Sequence, residues 1–145
     1  MNKYFIIGGI IILILSGGVV YRLFLLPEEL RPVTTGVVRE ITVTTGVNQW
    51  NFFPETIEVD RGDKIIMTLI NKDSYDHGIG IDAFGVSQRM PAKSTITLDF
   101  VVTQAGDFPF FCSVPCGEGI VDGEKRTHFD MIGKLHVRSI ISETQ

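Results

Sequence analysis

Two patterns of apolar residues divide the chain. From Phe5 to Leu26 apolar positions run almost unbroken (FIIGGIIILILSGGVVYRLFLL), with Arg22 the only charge. A helix of that length is about 33 Å long, enough for the hydrocarbon core of a bilayer. Arg22 lies near its end, where a long basic side chain reaches the headgroups. Two Gly-Gly pairs weaken such a helix but are tolerated in membranes. A cleaved signal peptide is the rival reading, with Lys3 as a basic start and Ser16-Gly17-Gly18 as small residues at a cut. The apolar run continues past that point to Leu26, so residues 1–26 are expected to be an uncleaved single-pass anchor in the cell membrane. Residues 27–35, opening with Pro27-Glu28-Glu29-Leu30-Arg31-Pro32, read as a linker, and residues 36–145 as a folded domain on the extracytoplasmic side.

Beyond the linker the period changes to two. Ile41 and Val43 share one face of a strand over Val38–Thr45, and Thr56–Asp60, Lys64–Asn71, Thr95–Val101 and Gly133–Arg138 alternate in the same way. Arg61-Gly62-Asp63, Asn71-Lys72-Asp73, Pro91-Ala92-Lys93 and Ala105-Gly106-Asp107 supply turn chemistry between them. Short strands at this spacing, with no long helical period after residue 32, predict an all-β, two-sheet Greek-key sandwich with one core.

Charge changes this picture little. The chain carries a net −4, and setting aside the first 26 residues with Lys3 and Arg22 leaves about −6. No basic stripe is present, so nucleic acid is not expected as a partner. An acidic domain steers a basic partner, and small basic electron carriers fit that description.

The candidate chemistry lies in the last third. Cys112-Ser113-Val114-Pro115-Cys116-Gly117 is followed by His128-Phe129-Asp130-Met131, and His77 stands well upstream. Two thiolates, two imidazoles and a thioether suit a soft, redox-active metal, and sulfur ligands with imidazole select copper. Zinc rarely recruits a thioether, and a lone upstream histidine does not match the close ligand pairs of zinc fingers. A disulfide between the two cysteines leaves His77, His128 and Met131 unexplained, and Met131 as core filler is the bland alternative. In a sandwich, strand ends converge at one pole, which lets His77 meet the loop that begins at Cys112. His136 alternates with Leu135 and Val137 in the last strand and reads as a surface residue, not a ligand.

Over residues 36–138 the chain resembles the cupredoxins, and among them the CuA domain of cytochrome c oxidase subunit II. The resemblance rests on a histidine, a Cys-x-x-x-Cys and a His-x-x-Met (His77, Cys112, Cys116, His128, Met131). Phe111-Cys112-Ser113, Met131-x-Gly133-x-Leu135-x-Val137 and Pro54-x-Thr56-Ile57-x-Val59-x-x-Gly62-Asp63 add to it. It implies a binuclear centre: two copper ions bridged by both thiolates, one imidazole on each, Met131 on one and the Val114 backbone oxygen on the other. It also implies one-electron transfer from cytochrome c or another small redox carrier toward a haem–copper oxidase subunit I. Gln49-Trp50 resembles the aromatic segment of subunit II, which implies that electrons arrive through Trp50. A buried core tryptophan is the alternative.

One segment departs from the family pattern. Ile120–Thr127 reads as an eight-residue insert between Gly119 and His128, with Asp122-Gly123 as a hairpin turn. Either the insert pinches off as a hairpin and leaves a binuclear site, or the longer loop favours one copper held by His77, one cysteine, His128 and Met131. Nothing in the chain suggests a substrate pocket, a Ser-His-Asp triad or paired carboxylates, so it is not expected to be an enzyme alone. A copper-delivery protein without a redox partner is the reading from a different functional class.

Overall fold

The computed structural model describes residues 3–25 and 36–139, which fall in two units. In the first, α1 (Lys3–Val20) continues into a wider helical turn over Tyr21–Leu25. It has a mean hydropathy of 2.1 and no buried residue, and is long and apolar enough to cross a membrane. The expected anchor is therefore formed as one apolar N-terminal helix. The linker at 27–35 lies outside the described residues.

The second unit is the expected β-sandwich, built from mixed rather than purely antiparallel sheets. Its strands are β1 (Val38–Thr45), β2 (Phe52–Phe53), β3 (Thr56–Asp60), β4 (Lys64–Asn71), β5 (His77–Ile81), β6 (Val86–Met90), β7 (Thr95–Val101), β8 (Gly106–Phe111), β9 (Glu118–Val121), β10 (Glu124–Thr127) and β11 (Ile132–Arg138). One sheet has the order β2-β1-β4-β7 and the other β3-β11-β8-β5-β6, while β9 and β10 form a separate hairpin. The β1–β4 and β3–β11 pairs run parallel.

The period-two pattern accounts for this packing. In β4, Ile65, Met67 and Leu69 are fully buried while Ile66, Thr68 and Ile70 are half-covered. Each such side chain taken from water contributes about 1.5–3 kcal/mol. Val43 of β1, Ile57 and Val59 of β3, and Leu135 and Val137 of β11 complete the core with Phe52 and Phe110, whose rings meet edge to face at 5.5 Å. The sheets are clipped at one corner by Arg39, which reaches both Asp60 and Asp63, and by Arg138, whose Nε stands 2.7 Å from Asp60.

Two features position the pole that carries the candidate ligands. Asn71, at the end of β4, donates from Nδ2 to the carbonyls of Tyr75, Met90 and Pro91, at 2.8, 2.9 and 3.0 Å. Its Oδ1 accepts from Thr45 Oγ1 and from the Asp73 N–H, each at 2.9 Å. This one amide closes the turn that delivers His77 to the first position of β5. The Cys112 N–H donates to the Met131 carbonyl at 3.0 Å, drawing the two ends of the long ligand loop together at its neck.

Candidate metal centre

Five of the expected donors come from two places in the fold. His77 opens β5, and Cys112 leaves the end of β8 into the loop that holds Cys116, His128 and Met131. His77 and Met131 are fully buried, and Cys112 and Cys116 nearly so. The donor atoms of His77, Cys112 and Cys116 all lie within 4.8 Å of one another. The two sulfurs are 3.4 Å apart and unbonded, Met131 Sδ stands 3.6 Å from Cys116 Sγ, and the Val114 carbonyl oxygen lies 3.1 Å from Cys112 Sγ.

The His77 ring is oriented by its surroundings. Nε2 lies 3.3 Å from Asp73 Oδ2, and both residues are fully buried. The other ring nitrogen, Nδ1, is buried without a hydrogen-bond partner. A ring nitrogen held by a carboxylate with its twin left open is the usual arrangement of a metal-binding histidine. Asp73 is itself fixed by the N–H groups of Asn48 (3.0 Å) and Ser74 (2.7 Å). Burial pushes the Asp73 carboxyl up, but those N–H groups and His77 outweigh it and hold its pKa below the usual carboxylate value. Burial likewise pushes the His77 imidazole down, yet Cys112 and Asp73 together hold it above its usual value.

The two thiols are not equivalent. A hydrogen bond from the Cys116 thiol, opposed by burial and aided by His77 and the backbone at Val114 and Gly78, draws the Cys112 pKa down to about 4. The same contact and burial push Cys116 up. Cys112 is thus the ready thiolate, and thiolate is the form that binds metal.

His128 sits apart from this cluster. It opens a 3₁₀ turn, His128–Asp130, capped by Thr127: the Thr127 side chain accepts from the Phe129 N–H, and Asp130 accepts from the Thr127 N–H at 2.7 Å. The ring packs on Phe129 at 3.8 Å between centroids, and its Nδ1 is buried with no partner. It lines a mostly apolar depression of about 510 Å³ with Phe111, Cys112, Val114, Phe129 and Ile132. Phe129 is 76% and Ile132 58% exposed at its rim.

The insert folds as the sequence predicts, a hairpin of β9 and β10 whose turn residues Asp122 and Gly123 have φ of 51° and 84°. Positive φ at both positions is the requirement of the tight turn that Asp-Gly favours. Trp50 is buried, 4% exposed, and its Nε1–H donates to the Cys116 carbonyl at 3.3 Å. His136 is half-exposed and pairs with Asp107, away from the donor cluster. Sequence reasoning missed Asp73, Asn71 and the Thr127–Asp130 cap. The Thr-x-x-Asp pattern at 127–130 was a legible cap signal, whereas nothing in the sequence marks Asp73 as the partner of His77.

Residues 29–121 match the family described as "Cupredoxin-like domain". No curated protein matches the chain. Among solved structures, dithionite-reduced auracyanin from Roseiflexus castenholzii is similar at 16% identity and a TM-score of 0.57, over 71% of this chain and 99% of that one. Auracyanin A from Chloroflexus aurantiacus, a "blue" copper protein, is similar at 15% identity and 0.52, over 70% and 99%. A chain of a heme-copper terminal oxidase dimer is similar at 17% identity and 0.55, over 94% and 97%. At these identities the likeness establishes the fold.

These findings correct the expectation of a CuA domain of the subunit II type with two copper ions. A copper pair needs an imidazole on each ion. Among the described residues the donors gather into one cluster with one imidazole, His77, and His128 stands outside it. The physical reason is local: the insert closes as a hairpin with Thr127 paired to Glu118, and the capped turn that follows packs the His128 ring on Phe129, outside the cluster. The residues fit a single copper ion, with soft sulfur donors, an open Nδ1 on an oriented histidine and a low-pKa thiolate within one small buried volume.

Proposed function

Because the chain belongs to the cupredoxin-like domain family, we propose that it is a membrane-anchored copper protein with one mononuclear site of the blue-copper kind, working as a one-electron carrier. The observation that carries this reading is the single buried cluster of His77, Cys112 and Cys116 with Met131 beside it. His77 would bind through Nδ1, Cys112 as thiolate and Met131 as a weak thioether donor. Cys116 would add the second sulfur of the same cluster, with the Val114 carbonyl at its edge. His128, with its unpartnered Nδ1 on a capped turn, lies outside this cluster and is left out of the proposed ligand set. A bound copper supplies the one-electron change. The chain holds its ligands on a rigid sandwich, excludes water from all but the His128 side, and fixes the His77 tautomer through Asp73.

Donor and acceptor are proposals of the same standing. We take a small redox carrier of the cytochrome c kind as donor. A haem–copper oxidase-type membrane partner is taken as acceptor, supported by the likeness to a terminal-oxidase chain over nearly the full length of both. Trp50, one hydrogen bond from the Cys116 backbone, is the residue through which electrons are proposed to arrive. Trp50→Leu should then keep copper and be reduced slowly. The domain is proposed to face the extracytoplasmic side behind an uncleaved anchor. The second reading, copper delivery without a redox partner, would instead require ready transfer of the ion to an acceptor.

The test is the copper-to-protein ratio of the reconstituted full chain together with its electron paramagnetic resonance spectrum. One ion with a four-line, single-nucleus hyperfine pattern is expected. Two ions sharing one unpaired electron would overturn the proposal.

A further inference from the structure

We propose that the loop from Gly46 to Asn51 is a positioning device for the metal centre, bracing both halves of the ligand shell from a single short segment. The inference rests on the one-ion reading above. Between β1 and β2 two non-glycine residues, Asn48 (φ 52°) and Trp50 (φ 48°), take left-handed backbone two positions apart. A bulky residue in that region is an outlier that its surroundings must hold in place, and such outliers gather where geometry is used.

Each of the two residues makes one contact toward the site. The Asn48 N–H donates to Asp73 Oδ2, the same oxygen that lies 3.3 Å from His77 Nε2. Trp50 Nε1–H donates to the carbonyl of Cys116 at 3.3 Å. The indole also packs closely against the start of the hairpin: a Cβ on Gly119 would sit 2.3 Å from Trp50 Cη2. His77 and Cys116 come from distant parts of the chain, and a third segment touches the supports of both.

Their separation is therefore set by a segment that binds no ion. Such support keeps the donors in place with and without metal, and limits movement between oxidation states. Trp50 and Asn48 are positioning residues on this view.

The decisive variants are Trp50→Phe, which keeps an aromatic ring and loses the N–H, and the same position carrying benzothienylalanine, which keeps the bicyclic shape and loses only the N–H. In the metal-free full chain, amide hydrogen exchange over 116–119 should accelerate about three- to tenfold, the effect of losing one hydrogen bond of ordinary net strength. Loaded with copper, both variants should keep one ion but show an altered hyperfine splitting and a shifted reduction potential. Asn48→Gly, which keeps the N–H and accepts the left-handed backbone freely, should retain the parent spectrum. Variants that lose thermal stability while exchange, hyperfine splitting and potential all stay at parent values would overturn the proposal and leave Trp50 as core filler. A parent chain that binds two ions would instead sink the one-ion reading, and the metal-free exchange result would still decide the role of the loop.

Discussion

Met131 Sδ lies 3.6 Å from Cys116 Sγ, while the Met131 carbonyl accepts from the Cys112 N–H at 3.0 Å. One residue thus ties the loop neck with its backbone and offers its sulfur to the cluster. A weak axial thioether tunes the reduction potential without carrying most of the binding. Met131→Leu keeps the volume and the backbone bond and removes only the sulfur. It should still take up copper, with a higher reduction potential, because the more highly charged state loses a donor. The cost in stability should be under about 1.5 kcal/mol, as for volume-conserving core exchanges. Voltammetry and thermal melts of the two proteins check both parts, and an unchanged potential would remove Met131 from the site.

Asp73→Ala acts on His77 without replacing any ligand. Asp73 accepts from the N–H groups of Asn48 and Ser74 and faces His77 Nε2, all in a buried setting. Buried donors left without an acceptor cost about 1–3 kcal/mol, so the metal-free protein should lose that much stability. Loss of such a partner to a ligand histidine typically lowers metal affinity by about 10- to 100-fold. Copper competition titrations should place the variant in that range, with Asp73→Asn between it and the parent.

How much of this was legible in the sequence depends on the kind of interaction. The period-two runs gave β1, β3, β4, β7 and β11 because one face of each strand is buried, and burial is what an apolar alternation records. Strand β6 was missed, since only its two ends, Val86 and Met90, are buried. The ligand types were legible because cysteine, histidine and methionine are scarce here and close in the loop. Their count of ions was not: spacing along the chain cannot tell whether the His128 turn folds toward the thiols or beside them, and the capped turn decides that. Asp73 and Asn71 were illegible for the same reason, because their partners lie across turns and sheets.

Gly78 and Gly133 are both held by close approach, and substituting them compares a push on the ligand loop with a push on the core. A Cβ on Gly78 would lie 2.4 Å from Ser113 Oγ and 3.3 Å from the Val114 backbone nitrogen. A Cβ on Gly133 would lie 2.1 Å from the Phe110 ring, in the core beneath the neck that joins Cys112 to Met131. Both alanine variants should lose about 1–3 kcal/mol through overpacking. Gly78→Ala should change the copper spectrum more than Gly133→Ala, since it pushes directly on the loop between the cysteines. Identical spectra for the two variants would mean that the loop yields without moving its donors.

The acid limb of stability offers a last test, and it uses a pair outside the site. His136 and Asp107 face each other across the β11–β8 register, and this contact holds the Asp107 carboxyl below its usual pKa. A carboxylate with a depressed folded pKa contributes stability that is present above its unfolded value, about 3.9, and is lost as the pH falls through the lower folded value. Asp107→Asn should therefore melt below the parent at neutral pH, by a small margin because Asp107 is 58% exposed. The gap should narrow steadily as the pH falls below about 4. Copper binding should be unaffected throughout, because His136 already has a carboxylate partner on the strand surface and faces no donor of the cluster. A variant that lost copper would reassign His136 to the metal, and melting curves run with and without copper across this pH range would reveal it.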